Sequence, residues 1–326
     1  MSSAAVFTIM KLPFLAQLEV LSNLEFDDLL NFSTISPEAC SLAKCLQQKL
    51  DNLTWKFDEA NRHTIKLDDE DFVIVINPNF ASWKPNATLH VITLGGLDIK
   101  VCQMDKCWVI AEPNRPNAFY LDVMDRFTKA ILTICNVGKF NLETIPRMDV
   151  IDLLVWKHTR SLEYFHFPTN RYSGPELTFV LQKVTVKNLI LPEDFPDSKY
   201  TGPLTMEKLD LGSGSWLTED LLKTMKCKEV DIQRNFTLPQ CNVLIKLWLQ
   251  GLLPDLENFT VDAWILDIPE MVDVILDGVE TMPWNPKNRS SHGKDIDLSQ
   301  GRDVRRADGK VATISTRANF MFCVWQ

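Results

Sequence analysis

The sequence predicts an α/β protein in three parts: short N-terminal helices, a small β-rich connector, and an irregular solenoid of alternating strands and helices closed by a C-terminal hairpin. Three observations carry this. Apolar residues recur at helical spacing over residues 11–50, β-rich runs crowd residues 54–110, and a short apolar template returns from residue 137 onward at steps of 20 to 29 residues.

The N-terminal part, residues 6–50, reads as three helices in "KLPFLAQLEVLSNLEFDDLLNFSTIS" and the stretch after it. Pro13 suits a first helical turn, where its missing N–H costs nothing, and Leu15, Leu18 and Leu21 recur on one side. A second apolar run holds Leu29, Leu30, Phe32 and Ile35. The third helix starts at Ser36-Pro37, a capping serine before a proline, and carries Ala39, Leu42, Ala43, Leu46 and Leu50. So few residues bury little by themselves, so the unit needs a partner or the next domain.

The connector, residues 51–118, contains "DFVIVINP", "TLHVITLGGLDIKVCQ" and "KCWVIAEP", β-rich runs separated by turn residues, and is expected to form a small antiparallel meander. From 119 to 326 the signal is repetition. The template of apolar, two others, apolar, one other, apolar fits Val137/Phe140/Leu142, Leu162/Phe165/Phe167, Val186/Leu189/Leu191, Met206/Leu209/Leu211, Cys227/Val230/Ile232 and Leu256/Phe259/Val261. The steps of 25, 24, 20, 21 and 29 residues fall in the range of leucine-rich repeats. One match carries no weight in a chain that is 45% apolar; the succession does. Helical runs lie between the matches, including "MDVIDLLVWKH" and "LPQCNVLIKLWLQ", so the strands should be parallel. Only Asn235 stands where a regular repeat places its ladder asparagine, so the solenoid should be irregular. "RDVRRADGKVATI" has Asp-Gly between two β-like runs, and "FMFCVW" supplies a last buried strand to cap the solenoid.

Composition excludes several classes of function. A net charge of −9 and a pI near 5.2 oppose a nucleic-acid ligand. No basic n-region precedes the apolar residues stopped by Lys11 and Pro13, and no apolar run spans a membrane, so the expected compartment is cytoplasm or nucleus. There the eight cysteines are expected as free thiols; no C-x-x-C occurs, and neither a metal nor a cofactor is expected. "GSGSW" at 212–216 lacks the Walker lysine, the third dinucleotide glycine and the G-x-S-x-G order. His158 and His166 have no acid or cysteine at a regular spacing. Asp68-Asp69-Glu70-Asp71 reads as a solvated turn, and Trp248, Trp264, Trp284 and Trp325 as core. The sequence reads as that of a protein that is not an enzyme.

Leu12-Pro13, Leu18, Val20, Leu21, the "DD" before Leu29-Leu30, and Ile35-Ser36 resemble an F-box, the motif that docks on the adaptor of cullin-based ubiquitin ligases. Residues "WLTEDLLKTMKCKEVDIQRN", "LIKLWLQG", "RRADGKVATI" and "FCVW" resemble the nematode F-box proteins with a type 2 F-box-associated domain; the likeness covers residues 6–46 and 205–326. Members often have basic residues after the Ile-Ser step, where this chain has Pro37-Glu38.

The resemblance implies the substrate-recognition subunit of an SCF-type ligase, with the adaptor, and through it a cullin, bound by Leu12, Pro13, Leu15, Leu18, Val20, Leu21, Leu29, Leu30 and Ile35. The solenoid would hold an unknown target protein, raising the effective concentration of its lysines near a ubiquitin-loaded enzyme. Residues between the two inward apolar positions of each strand, among them Asn141, His166, Asp210, Asp231 and Thr260, should line the target face, and Asp210 with Asp231 should suit a basic patch. The alternative is a leucine-rich-repeat-like scaffold without a ligase, its N-terminal helices capping the repeats. Exposure of Leu12, Leu15 and Leu21 separates the two readings. A polar pocket with perturbed ionisable groups would instead revive an enzyme.

Overall fold

A computed structural model describes residues 9–57, 62–68, 72–77, 88–104, 106–110, 112, 115–144, 149–167, 173–191, 200–262, 269–285, 298–317 and 319–325. The chain is mixed α/β and divides into two compact units, Met1–Ile145 with Asp152–Thr159, and Pro146–Ile151 with Arg160–Gln326.

The first unit opens with helices α1 (Phe14–Ser22), α2 (Phe26–Ile35) and α3 (Pro37–Cys45). Pro13 sits at the position before α1, its carbonyl accepting from the Gln17 N–H, while the buried Gln17 side chain donates to the carbonyls of Met10 and Leu12. Asp27 and Asp28 occupy the first turn of α2, where carboxylates favour the helix dipole. Ser36 accepts from the Ala39 N–H at 3.1 Å, with Pro37 in the first turn of α3.

That third helix is shorter than its periodicity indicates. Gln47 adopts a φ of 46°, which breaks the helix, and Leu50 faces the core from strand β1 (Gln48–Phe57) instead. The strands β2 (His63–Leu67), β3 (Phe72–Ile76), β4 (His90–Leu94), β5 (Leu97–Met104), β6 (Cys107–Ile110) and β7 (Cys135–Glu143) join β1 in the order β7-β1-β2-β3-β6-β5-β4. The expected antiparallel meander is met by β1-β2-β3 and β4-β5-β6 and corrected where β3 pairs with β6 in parallel; β7, beyond the connector, pairs in parallel with β1. Helix α4 (Asn117–Ile134) makes the crossover that a parallel pair requires. Its Tyr120, Val123, Met124, Phe127 and Ile131 bury one stripe, Phe127 meeting Trp108 at 6.1 Å between ring centres. The first template match thus lies on β7, in this unit. The run expected as a helix before His158 forms only a 3-10 turn, Leu154–Lys157; upstream, Asp149 accepts from the Ile151 N–H in a local turn that competes with helix.

In the second unit β8 (Ser161–His166), β9 (Thr185–Leu191), β10 (Lys208–Leu211), β11 (Glu229–Ile232) and β12 (Asn258–Val261) form a parallel ladder. Between them lie α5 (Gly174–Lys183), α6 (Glu219–Lys223) and α7 (Leu238–Leu249), and beyond them α8 (Pro269–Leu276). Ser173 with Glu176 and Thr237 with Gln240 cap α5 and α7 reciprocally. Every template residue from Leu162 to Val261 is buried, which is why the apolar spacing repeats.

Strands β13 (Met282–Pro283), β14 (Arg302–Arg305), β15 (Val311–Ser315) and β16 (Phe320–Trp325) run antiparallel, and β16 closes on β12. Gly309, at φ 91°, makes the β14–β15 turn. Arg306 lies buried 4.9 Å from the Trp248 ring and bonds Asp308 through two nitrogens at 3.0 and 2.6 Å. That hydrogen bonding holds the Asp308 carboxyl down at about 2. The "RRADGK" motif is therefore an anchored hairpin.

Candidate interaction surfaces

Of the residues expected to meet an adaptor, Pro13, Leu15, Val20 and Ile35 are exposed, Leu15 at 78%. Leu12 and Leu18 are half-buried, whereas Leu21, Leu29 and Leu30 lie in the core of the first unit. The diagnostic trio is therefore split: Leu15 out, Leu12 between, Leu21 in. Phe14, which the sequence reading passed over, is 53% exposed beside Leu15. Its signal was its place directly after Pro13 at the start of an amphipathic helix.

A groove of about 1110 Å³ in the same unit is lined by Ile35, Ser36, β4 and one side of α4. Its cations are committed: Arg126 bonds Asp122 at 2.9 Å and the Leu94 and Gly95 carbonyls, and Lys129 bonds Asp125.

In the second unit His166, Asp210, Asp231 and Thr260 fall in one register row across the ladder, with Ile190 between His166 and Asp210. The row two residues earlier on the same face holds Tyr164, Asn188, Lys208, Glu229 and Asn258. Asn141 stands on β7 of the first unit, donating to Thr54 Oγ1 at 3.1 Å.

A third row was missed. Glu163, Lys187, Glu207, Lys228 and Glu257 each follow the first apolar template position and alternate in sign. Lys187 reaches Glu163 at 3.1 Å and Glu207 at 3.9 Å, and Lys228 reaches Glu207 at 3.8 Å. This ladder favours the correct strand register.

The face itself is not balanced in this way. Lys208 pairs with Asp231 at 3.2 Å and Glu229 at 4.0 Å, but Asp210 stands beside Asp231, like charge against like. Burial and then the Asp231 charge push the Asp210 pKa up, against the pull of Lys208 and His166. Asp210→Asn is accordingly expected to raise the unfolding free energy measured in urea at pH 7 by on the order of 0.5 kcal/mol. The gain should vanish as pH falls through the raised Asp210 pKa, since a protonated aspartate carries no charge to relieve.

The loop "GSGSW" is structural. Gly212 and Gly214 donate to the carbonyls of Leu191 and Arg234, and a Cβ on Gly214 would meet the Phe236 ring at 2.8 Å. Asn235, at φ 58°, donates to Ser213 Oγ at 3.1 Å. All eight cysteines are unbridged, and burial pushes the Cys227 and Cys241 thiols up to about 12. Among the described residues no cluster of three His, Cys, Asp or Glu could hold a metal, and no helix is long and apolar enough to cross a membrane. Asp69–Asp71 and Trp264 lie outside the described residues.

Residues 201–261 match the family model described as F-box associated. This segment is similar to the F-box associated family. That region spans β10, α6, β11, α7 and β12, and so holds Asp210, Asp231 and Thr260. An uncharacterized protein of Caenorhabditis elegans is 25% identical over 173 residues, which are 50% of this chain and 39% of that protein. The likeness to nematode F-box associated proteins seen in the C-terminal motifs is thus supported, although the chain spans only about two fifths of that relative's length. No solved structure matches the chain.

Proposed function

We propose that the protein is a recruiting subunit of an SCF-type ubiquitin ligase and carries out no chemistry itself. Its N-terminal helices dock on the adaptor, and through it a cullin, while the solvent face of β8–β12, in a leucine-rich-repeat-like solenoid, holds a target protein. The F-box associated match over β10–β12 carries this reading, because it coincides with that face. The exposed Pro13, Phe14 and Leu15 supply an apolar edge for the adaptor, and cytoplasm or nucleus is where such a complex works.

Co-expression with the adaptor subunit tests the proposal. The native chain is expected to be captured, and Phe14→Ala/Leu15→Ala to bind at least about tenfold more weakly, as loss of two exposed anchors implies. Both side chains are largely exposed, so the variant should fold. Capture of neither would replace the ligase reading with that of a scaffold, and equal capture of both would place the adaptor contact away from Phe14 and Leu15. Burial of Leu21, Leu29 and Leu30 inside the first unit favours that second reading.

A further inference from the structure

We propose that the face of β8–β12 takes a basic, extended segment of the target, with one arginine side chain seated on the Asp210–Asp231 pair. This rests on the reading of that face as the target surface. It adds the chemistry of what is bound.

Where the ladder stabilises itself, its charges alternate, as Glu163, Lys187, Glu207, Lys228 and Glu257 do. On the open face, among the described residues, Lys208 stands beside the three carboxylates Asp210, Glu229 and Asp231. Asp210 and Asp231 are direct register partners on parallel strands, about 4.8 Å apart. That spacing lets one planar guanidinium donate to both carboxylates, which a point-charge ammonium does less well.

A second observation lies on the same face. Asn258 is 8% exposed and stands in register with Glu229; its Nδ2 approaches Thr260 Oγ1 at 3.5 Å, and its Oδ1 has no hydrogen-bond partner among the described residues. Half-buried Ile190 stands beside Asp210 in the same register row and offers apolar surface to the stem of an arginine; Thr260 flanks Asp231, with half-buried Met321 one strand beyond it.

Selection of random displayed dodecapeptides against the full chain tests this, using the native protein and Asp210→Asn/Asp231→Asn, both checked as folded by circular dichroism. The substitutions relieve repulsion, so folding is expected. Native protein should enrich peptides with arginine at one position, ahead of lysine. Arginine-to-citrulline exchange in such a peptide, or the double variant, should weaken binding at least about tenfold. Enrichment without a basic residue, no enrichment, or equal binding by the double variant would overturn the proposal. Arginine-free peptides whose binding is lost in Ile190→Arg would still leave the face as the target surface. Binding unchanged in Ile190→Arg as well would remove that reading too.

Discussion

Phe259→Ala is expected to lower the urea midpoint by the equivalent of about 3–5 kcal/mol, the largest loss of any single truncation considered for this chain. Phe259 is fully buried on β12, the strand where the parallel ladder meets the antiparallel closing strands. It stands in register with Val230 on one side and Phe322 on the other, and its ring lies 5.3 Å from Phe236 and 6.4 Å from Phe320. Truncation removes both the transfer free energy of the ring and the packing of aromatics that cannot collapse without moving two kinds of strand. Phe259→Leu keeps most of the volume and should cost markedly less. Equal costs for the two variants would mean that the retained aliphatic volume contributes nothing and that the junction requires the ring itself.

What the sequence made legible is what local chemistry encodes. Ser36-Pro37 starts a helix because the serine oxygen can take a backbone N–H, and the same logic holds at Ser173 and Thr237. The repeating template was legible because each match from Leu162 to Val261 buries its three apolar residues against the same kind of neighbour. The charge ladder obeyed the same steps and was open to the same reading, but a search for apolar recurrence passes over a lysine or glutamate.

What was hidden depends on residues far apart in the chain. Leu50 fits a helical stripe, yet β1 pairs with β7 more than eighty residues away, and that pairing decides its conformation. Asn141 satisfies the template as well as Asp210 does, but its strand completes the first unit. The Asp-Gly hairpin was evident, whereas the seat of Arg306 on Trp248 required two elements to meet. On the outer face of β8–β12, the residue between two apolar positions is only half of what the strands present, for Lys208 and Glu229 share that face two residues earlier. Lys208 matters most, because it shows which acid is already paired and which is left.

His158→Ala is expected to destabilise the first unit by about 2–3 kcal/mol and to change its response to acid. His158 lies in the segment Asp152–Thr159 that rejoins this unit, and its Nε2 meets Asp125 Oδ1 at 2.8 Å with both side chains buried. Its ring stacks 6.4 Å from Trp55, whose indole N–H donates to Thr128 on the same helix as Asp125. Lys129 still pairs with Asp125 after the substitution, which keeps the loss below that of a fully orphaned buried charge. Burial pulls the Asp125 pKa upward, but the hydrogen bonds from Lys129 and His158 outweigh it, and the net shift is downward. A depressed carboxylate pKa contributes stability that is present above the unfolded value near 3.9 and lost as pH falls through the folded value. Without His158 one lowering contact is gone while burial remains, so the variant should lose this stability at a higher pH than the native chain. The gap in urea midpoint between the two should therefore be widest near neutrality and narrow on acidification, once Asp125 is protonated in both. A gap that stayed constant from pH 7 to pH 2 would assign the whole cost to lost packing against Trp55 and none to the pairing with Asp125.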